Sequence, residues 1–130
     1  MTSYVFDTGA ISLFFSEDER LRTLVDQIQG KGDAAFLSSV TVAEFYYKTC
    51  QNLGRDVAAL RSKQLSERMR VVDASLEISF SAGLEKCRNG RLSLADCYAL
   101  ALTKRLRGLL LTTDSELAKT KDAKVRFFAV

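Results

Sequence analysis

The 130-residue sequence predicts an α/β fold of three layers, a short parallel β-sheet with helices on both faces. Short apolar runs of strand character alternate with longer segments whose apolar residues recur at helical spacing. Gly and Asn, which suit turns, punctuate these segments. No Pro- or Ser-rich linker, low-complexity tract or internal repeat divides the chain, so residues 1–130 read as one domain, a size that supports a core without staples.

Tyr4-Val5-Phe6 is the first strand, ending at Asp7-Thr8-Gly9, which has turn chemistry. From about Glu17 to Gln29, Leu21, Leu24, Val25 and Ile28 fall on one helical face, and Gly30 is the stop. Ala35-Phe36-Leu37 is a second strand, closed by Ser38-Ser39. Helical spacing returns from about Val40 to Leu53, ended by Gly54, and again from Val57 to Met69. Val71-Val72 is a weak strand, and Asp73 or Ser75 caps a helix to about Arg88 that Asn89-Gly90 breaks. Ser93 opens an apolar helix, Leu94 to Leu106, which ends near Gly108. Leu109-Leu110-Leu111-Thr112 is a buried strand, Ser115 to Lys119 a short helix, and Val125-Arg126-Phe127-Phe128 the last strand. Strands separated by helices make right-handed βαβ units, and such sheets carry their sites beyond the carboxyl ends of the strands.

The composition narrows the chemistry. The chain contains no histidine, which excludes a Ser-His-Asp triad, a Cys-His dyad, an HExxH zinc site and an imidazole proton shuttle. Cys50, Cys87 and Cys97 are odd in number and form no CxxC, so they read as reduced, buried small hydrophobes of a cytoplasmic protein. The net charge of +3 permits a polyanionic partner. No stretch approaches the roughly 18 apolar residues of a membrane span, and the start turns acidic too early for a signal peptide.

Four carboxylates stand out. Asp7 and Asp114 follow predicted strands, where the sheet rule places a site. Glu44 and Asp96 lie deep in apolar helical sequence, and Asp96 shares a face with Leu92, Ala99 and Leu100, where an acid is costly unless paired or metal-bound. Each also has a purely structural reading. Asp7 with Gly9 makes an Asx-type turn, and Asp114 caps the helix at Ser115. Thr41 to Glu44 and Ser93 to Asp96 resemble capping boxes, and Glu44 pairs with Lys48 at i+4. Capping accounts for each acid's place along its helix, but not for two at strand ends and two heading helices that pack on the same sheet. If all four converge, binding a cation relieves their repulsion, and an all-oxygen set selects Mg²⁺ or Mn²⁺ over zinc. Such sites activate water for phosphodiester cleavage without an imidazole base.

Val5-Phe6-Asp7-Thr8-Gly9-Ala10, Val42-Ala43-Glu44-Phe45-Tyr46, Leu92-Ser93-Leu94-Ala95-Asp96 and Leu111-Thr112-Thr113-Asp114 resemble, in order and spacing, the four acidic motifs of PIN-domain nucleases. The length resembles that of the compact VapC-type toxins of toxin–antitoxin pairs. The resemblance implies a PIN-like fold and a Mg²⁺- or Mn²⁺-dependent endoribonuclease with Asp7, Glu44, Asp96 and Asp114 as catalytic residues and metal ligands. It further implies RNA as substrate, a homodimer, and a small antitoxin protein that occupies the acidic groove. Thr112, Thr8 and Ser93 are implied as supports for metal, water or acids. Gly9 departs from the family, whose members often carry Ser or Asn there, and Glu116 stands where many have a further Asp and is not counted as a ligand.

The alternatives are a catalytically inactive PIN-like module that binds RNA or protein, and a housekeeping RNA-processing nuclease. A haloacid-dehalogenase-type phosphotransferase would need an acid at Gly9, and a receiver-like phosphoacceptor an acidic pair at the first strand. The basic clusters around Lys86 to Arg91, Lys104 to Arg107 and Lys119 to Arg126 read as solvated faces rather than a defined RNA track. Phe14-Phe15 and Tyr46-Tyr47 read as core or dimer packing.

Overall fold

The computed structural model describes residues 1–130 as a five-stranded parallel sheet with seven helices. In chain order the elements are β1 (Ser3–Phe6), α1 (Thr8–Phe15), α2 (Glu19–Gly30), β2 (Ala34–Ser38), α3 (Ser39–Leu53) and α4 (Arg55–Arg68). Then follow β3 (Arg70–Val72), α5 (Leu76–Arg88), α6 (Leu94–Leu106), β4 (Leu109–Thr112), α7 (Ser115–Ala118) and β5 (Lys124–Phe127). The strand order is β3-β2-β1-β4-β5. The chain builds outward from β1 to β3, then returns to lay β4 on the other side of β1. The order therefore reverses between β1 and β4, and a crevice opens beyond their carboxyl ends.

Strand periodicity supplies both faces of the sheet. Along β1, Val5 packs with one set of helices and Phe6 with the other; Phe36 and Leu37 divide likewise in β2, and Leu110 and Leu111 in β4. One core layer joins Phe6, Leu37 and Leu111 to Ile11 of α1, Leu21, Leu24, Val25 and Ile28 of α2, Phe45 of α3 and Leu65 of α4. The opposite layer joins Val5, Phe36 and Leu110 to Ile78 and Ala82 of α5, Leu100 and Leu102 of α6, and Leu117 of α7. Burial on both faces explains why the strands read as short continuous apolar runs.

The structure departs from the sequence expectations in several places. Asp7-Thr8-Gly9 is not a turn but the start of α1: the Asp7 carboxylate caps it, accepting from the Ala10 N–H at 2.8 Å. This eight-residue helix was hidden because Gly9, Ser12 and two adjacent phenylalanines blur its period. Ser38, not Thr41, caps α3, so Glu44 is not the acid of a capping box. Between the two candidates, Ser75 rather than Asp73 caps α5. The cysteines also divide. Cys97 is buried, Cys50 half-buried and Cys87 exposed, the last because it falls on the outer face of α5 with Leu84 and Phe80.

Candidate active site

The reversal of strand order sets the geometry. Asp7 follows β1, Asp114 follows β4, Glu44 lies on the second turn of α3 after β2, and Asp96 lies in the first turn of α6. Ser93 caps that helix, its hydroxyl accepting from the Asp96 N–H at 3.1 Å. A lysine from α5 holds the preceding loop: Lys86 Nζ donates to the carbonyls of Gly90, at 2.8 Å, and Leu92, at 2.5 Å. Lys86 is thus spent on backbone rather than displayed to solvent.

Two threonines orient the acids. Thr112, fully buried at the end of β4, donates its hydroxyl to Asp7 Oδ2 and accepts from the Asp114 N–H at 2.9 Å. One hydroxyl thereby ties two of the carboxylate-bearing segments together. Thr8 donates its hydroxyl to Glu44 Oε1. The other oxygen of Glu44 faces Lys48 Nζ at 3.8 Å, the i+4 partner expected from sequence. Asp114 also caps α7 through the Glu116 N–H at 2.8 Å, so capping and site membership coexist in one side chain.

Three of the four acids feel one another. Burial pushes the Asp7 carboxyl up to about 6, and repulsion from Asp114 adds to this against the hydrogen bonds from Thr112, Ala10 and Thr113. Asp96 is pushed up to about 7, first by burial, then by the neighbouring Asp114 carboxyl and by repulsion from Asp7. Glu44 stands at the edge of this group, held by Thr8 and Lys48. No three acidic side chains close tightly enough to enclose an ion by themselves. What the fold assembles is an open set of carboxylate oxygens, with no nitrogen or sulfur ligand beside it. That donor chemistry suits a hard cation such as Mg²⁺, which keeps several waters and uses few protein carboxylates.

Gly9 has a role that sequence reading missed. A Cβ there would lie 1.8 Å from Thr113 Oγ1, 3.0 Å from Thr113 Cβ and 3.3 Å from Thr113 Cγ2. The Thr113 side chain fills the space that a larger residue at position 9 would occupy, so it must turn or shift to admit a Cβ there. Gly9→Ala is expected to lower stability by roughly 1–2 kcal/mol despite alanine's better helix propensity. Thr113→Ala should recover most of that loss, and thermal melts of the four-member cycle measure the coupling. A Gly9→Ala chain as stable as the parent would mean that Thr113 moves aside freely.

A family model for the PIN domain matches residues 4–123. No curated protein sequence matches the chain significantly. Among solved structures, VapBC2 from Rickettsia felis bound to a promoter DNA fragment is similar with a TM-score of 0.81 and 13% identity, covering 97% of this chain and 98% of that one. DNA-bound VapBC from Salmonella typhimurium is similar with a TM-score of 0.79 and 16% identity, covering 98% of each chain. VapC20 from Mycobacterium tuberculosis, described as a sarcin-ricin loop cleaving toxin, is similar with a TM-score of 0.69 and 16% identity, covering 92% of this chain and 98% of that one. At such identities the likeness is one of fold.

Proposed function

The chain belongs to the PIN-domain family, and on that premise we propose that its residues 1–130 act as a single PIN-like nuclease domain, a divalent-metal-dependent endoribonuclease and the toxin of a toxin–antitoxin pair. The observation that carries this reading is the gathering of Asp7, Asp96 and Asp114 at the point where strand order reverses. Glu44 stands beside them as the fourth acid.

In this reading Asp7, Glu44, Asp96 and Asp114 would hold Mg²⁺ or Mn²⁺ together with water ligands, and the ion would supply the charge for water activation and leaving-oxygen stabilisation. The chain's own part is orientation. Thr112 fixes Asp7 Oδ2 and the backbone N–H of Asp114, so one hydroxyl holds the Asp7 carboxylate beside the segment that carries Asp114. Thr8 turns Glu44 Oε1 toward the first turn of α1. Ser93 and Lys86 set the start of α6, and with it Asp96.

The similar VapBC structures support a small antitoxin as protein partner. A second copy of the chain is the further partner included in this proposal. No helix is long and apolar enough to cross a membrane. A cytoplasmic location belongs to the toxin reading proposed above.

Purified protein is expected to cut RNA oligonucleotides in Mg²⁺ or Mn²⁺ and to stop in EDTA. Cutting that persists in EDTA would overturn the metal-dependent reading. Stability provides a second readout. Asp7 and Asp96 carry raised values, about 6 and about 7 against 3.8 for a free Asp. The folded metal-free chain therefore holds more protons than the unfolded chain between pH 4 and 7, and its stability falls as pH rises through that window. An ion that requires ionised carboxylates gains affinity over the same window. The rise in melting temperature caused by Mn²⁺ should thus be small at pH 5 and larger at pH 8. A shift that is constant with pH would exclude these two acids as ligands.

A further inference from the structure

Carboxylates that attract a cation repel a phosphate backbone, so a crevice that acts on RNA needs positive charge at its edges. Cations stand on both flanks. Lys48 lies one turn beyond Glu44 on α3, its ammonium 3.8 Å from Oε2 and half-exposed. Arg91, in the loop before α6, and Lys119, just after α7, both reach Glu116 Oε1, at 3.7 and 3.3 Å, and both are largely exposed. Because β2 and β4 lie on opposite sides of β1, Lys48 and the Arg91–Lys119 pair flank Asp7 from two directions. Their ion pairs are loose and solvated, the kind worth little in themselves, so exchanging a carboxylate for a phosphate costs little. Thr8 keeps Glu44 in place when Lys48 leaves it.

A second basic surface offers a contrast. Lys104, Arg107, Lys121 and Lys124 line a cavity of about 620 Å³. It lies where α6 ends and β4 and β5 begin, at the opposite end of the strands from the carboxylates. Lys104 is already held there by Glu85, at 2.9 Å, and Asp122, at 2.5 Å. A strand bound at that end does not present a phosphodiester to Asp7.

We propose that Lys48 on one flank, and Arg91 with Lys119 on the other, grip phosphates of an RNA strand laid across the carboxyl ends of β2, β1 and β4. Glu44 and Glu116 are the resting partners that the phosphates displace. This inference rests on the nuclease reading and specifies how the substrate lies in the same site.

The test measures binding of a labelled single-stranded RNA oligonucleotide by anisotropy in EDTA, in an Asp96→Asn background that removes one repelling charge. Lys48→Gln, Arg91→Gln and Lys119→Gln should each weaken binding about three- to tenfold and lower the slope of log affinity against log salt by about one. Lys121→Gln and Lys124→Gln should change neither. In the otherwise unaltered chain, Arg91→Gln and Lys119→Gln should leave the Mn²⁺-induced melting shift intact, which separates substrate grip from metal binding. Loss confined to the Lys121 and Lys124 variants, or unchanged binding in all three flank variants while the parent still cuts RNA, would overturn the inference alone. A parent that neither binds nor cuts RNA would overturn the nuclease reading with it.

Discussion

Asp96→Asn is expected to lose RNA cleavage by at least about a hundredfold while the metal-free protein becomes more stable. The two effects have one cause. Asp96 sits in the first turn of α6 against Asp114 and Asp7, and its carboxyl is pushed up to about 7 by burial and by those neighbours. At pH 8 in EDTA it must ionise among like charges, and an amide of the same shape removes that cost. With its partial exposure allowed for, the gain is about 1 kcal/mol, or roughly 3 °C in melting temperature. It should vanish near pH 4, where the parent carboxyl is protonated. A residue kept only to start a helix would behave in the opposite way, because losing a first-turn acid weakens the helix at neutral pH. Circular dichroism, melts at pH 4 and 8, and cleavage assays on the same preparations distinguish the two. Full activity in this variant would remove Asp96 from the site.

Gly108→Ala is expected to produce the largest loss of stability, with no direct effect on chemistry. A Cβ at Gly108 would lie 2.3 Å from the carbonyl oxygen of Ser3 and 3.2 Å from its carbon. The obstacle is backbone at the start of β1, so no side-chain rotation relieves it. Either β1 or the turn from α6 into β4 must shift, against the pairing of Tyr4 with Leu109. The cost is about 2–3 kcal/mol or more, lowering the melting temperature by roughly 10 °C. Gly83→Ala is the matched control: Gly83 lies inside α5, where a Cβ meets nothing within 4 Å, and alanine should stabilise by about 0.5–1 kcal/mol. Because Gly108 lies at the end of the strands away from the carboxylates, the folded fraction of Gly108→Ala should retain the parent's activity per molecule. A melting temperature within about 2 °C of the parent would show that β1 is not held as tightly as the register implies.

Much of the fold was legible in local pattern. The strands announced themselves as apolar runs because both of their faces are buried, as Val5 and Phe6 or Leu110 and Leu111 show. Helix α2 was legible because Leu21, Leu24, Val25 and Ile28 bury one face and leave the other charged. Helix α1 was not, because its buried and half-buried residues include Thr8, Phe14 and Phe15 on more than one side, packed against α3 and the sheet. Phe15 stacks on Phe45 of α3, with ring centroids 5.4 Å apart, a contact that no sequence spacing reveals. Tyr46 and Tyr47 are exposed along α3, so of the two uses read for them, core or dimer packing, they do not serve the core.

The sequence by itself determined the chemistry on offer: a histidine-free chain with two acids that follow strands and two set in apolar helical sequence. Those properties are local, carried by residue type and by distance along the chain. Only the tertiary structure decided which acids meet. Asp7, Asp96 and Asp114 come together because the strand order reverses between β1 and β4, and Thr112 ties two of them through a single hydroxyl. It likewise decided that Gly9 makes room for Thr113, and that Lys86 and Lys104 are committed to the protein itself while Lys48, Arg91 and Lys119 stay at the rim. Burial, repulsion and steric fit depend on neighbours distant in sequence, and those neighbours exist only once the sheet has set its order.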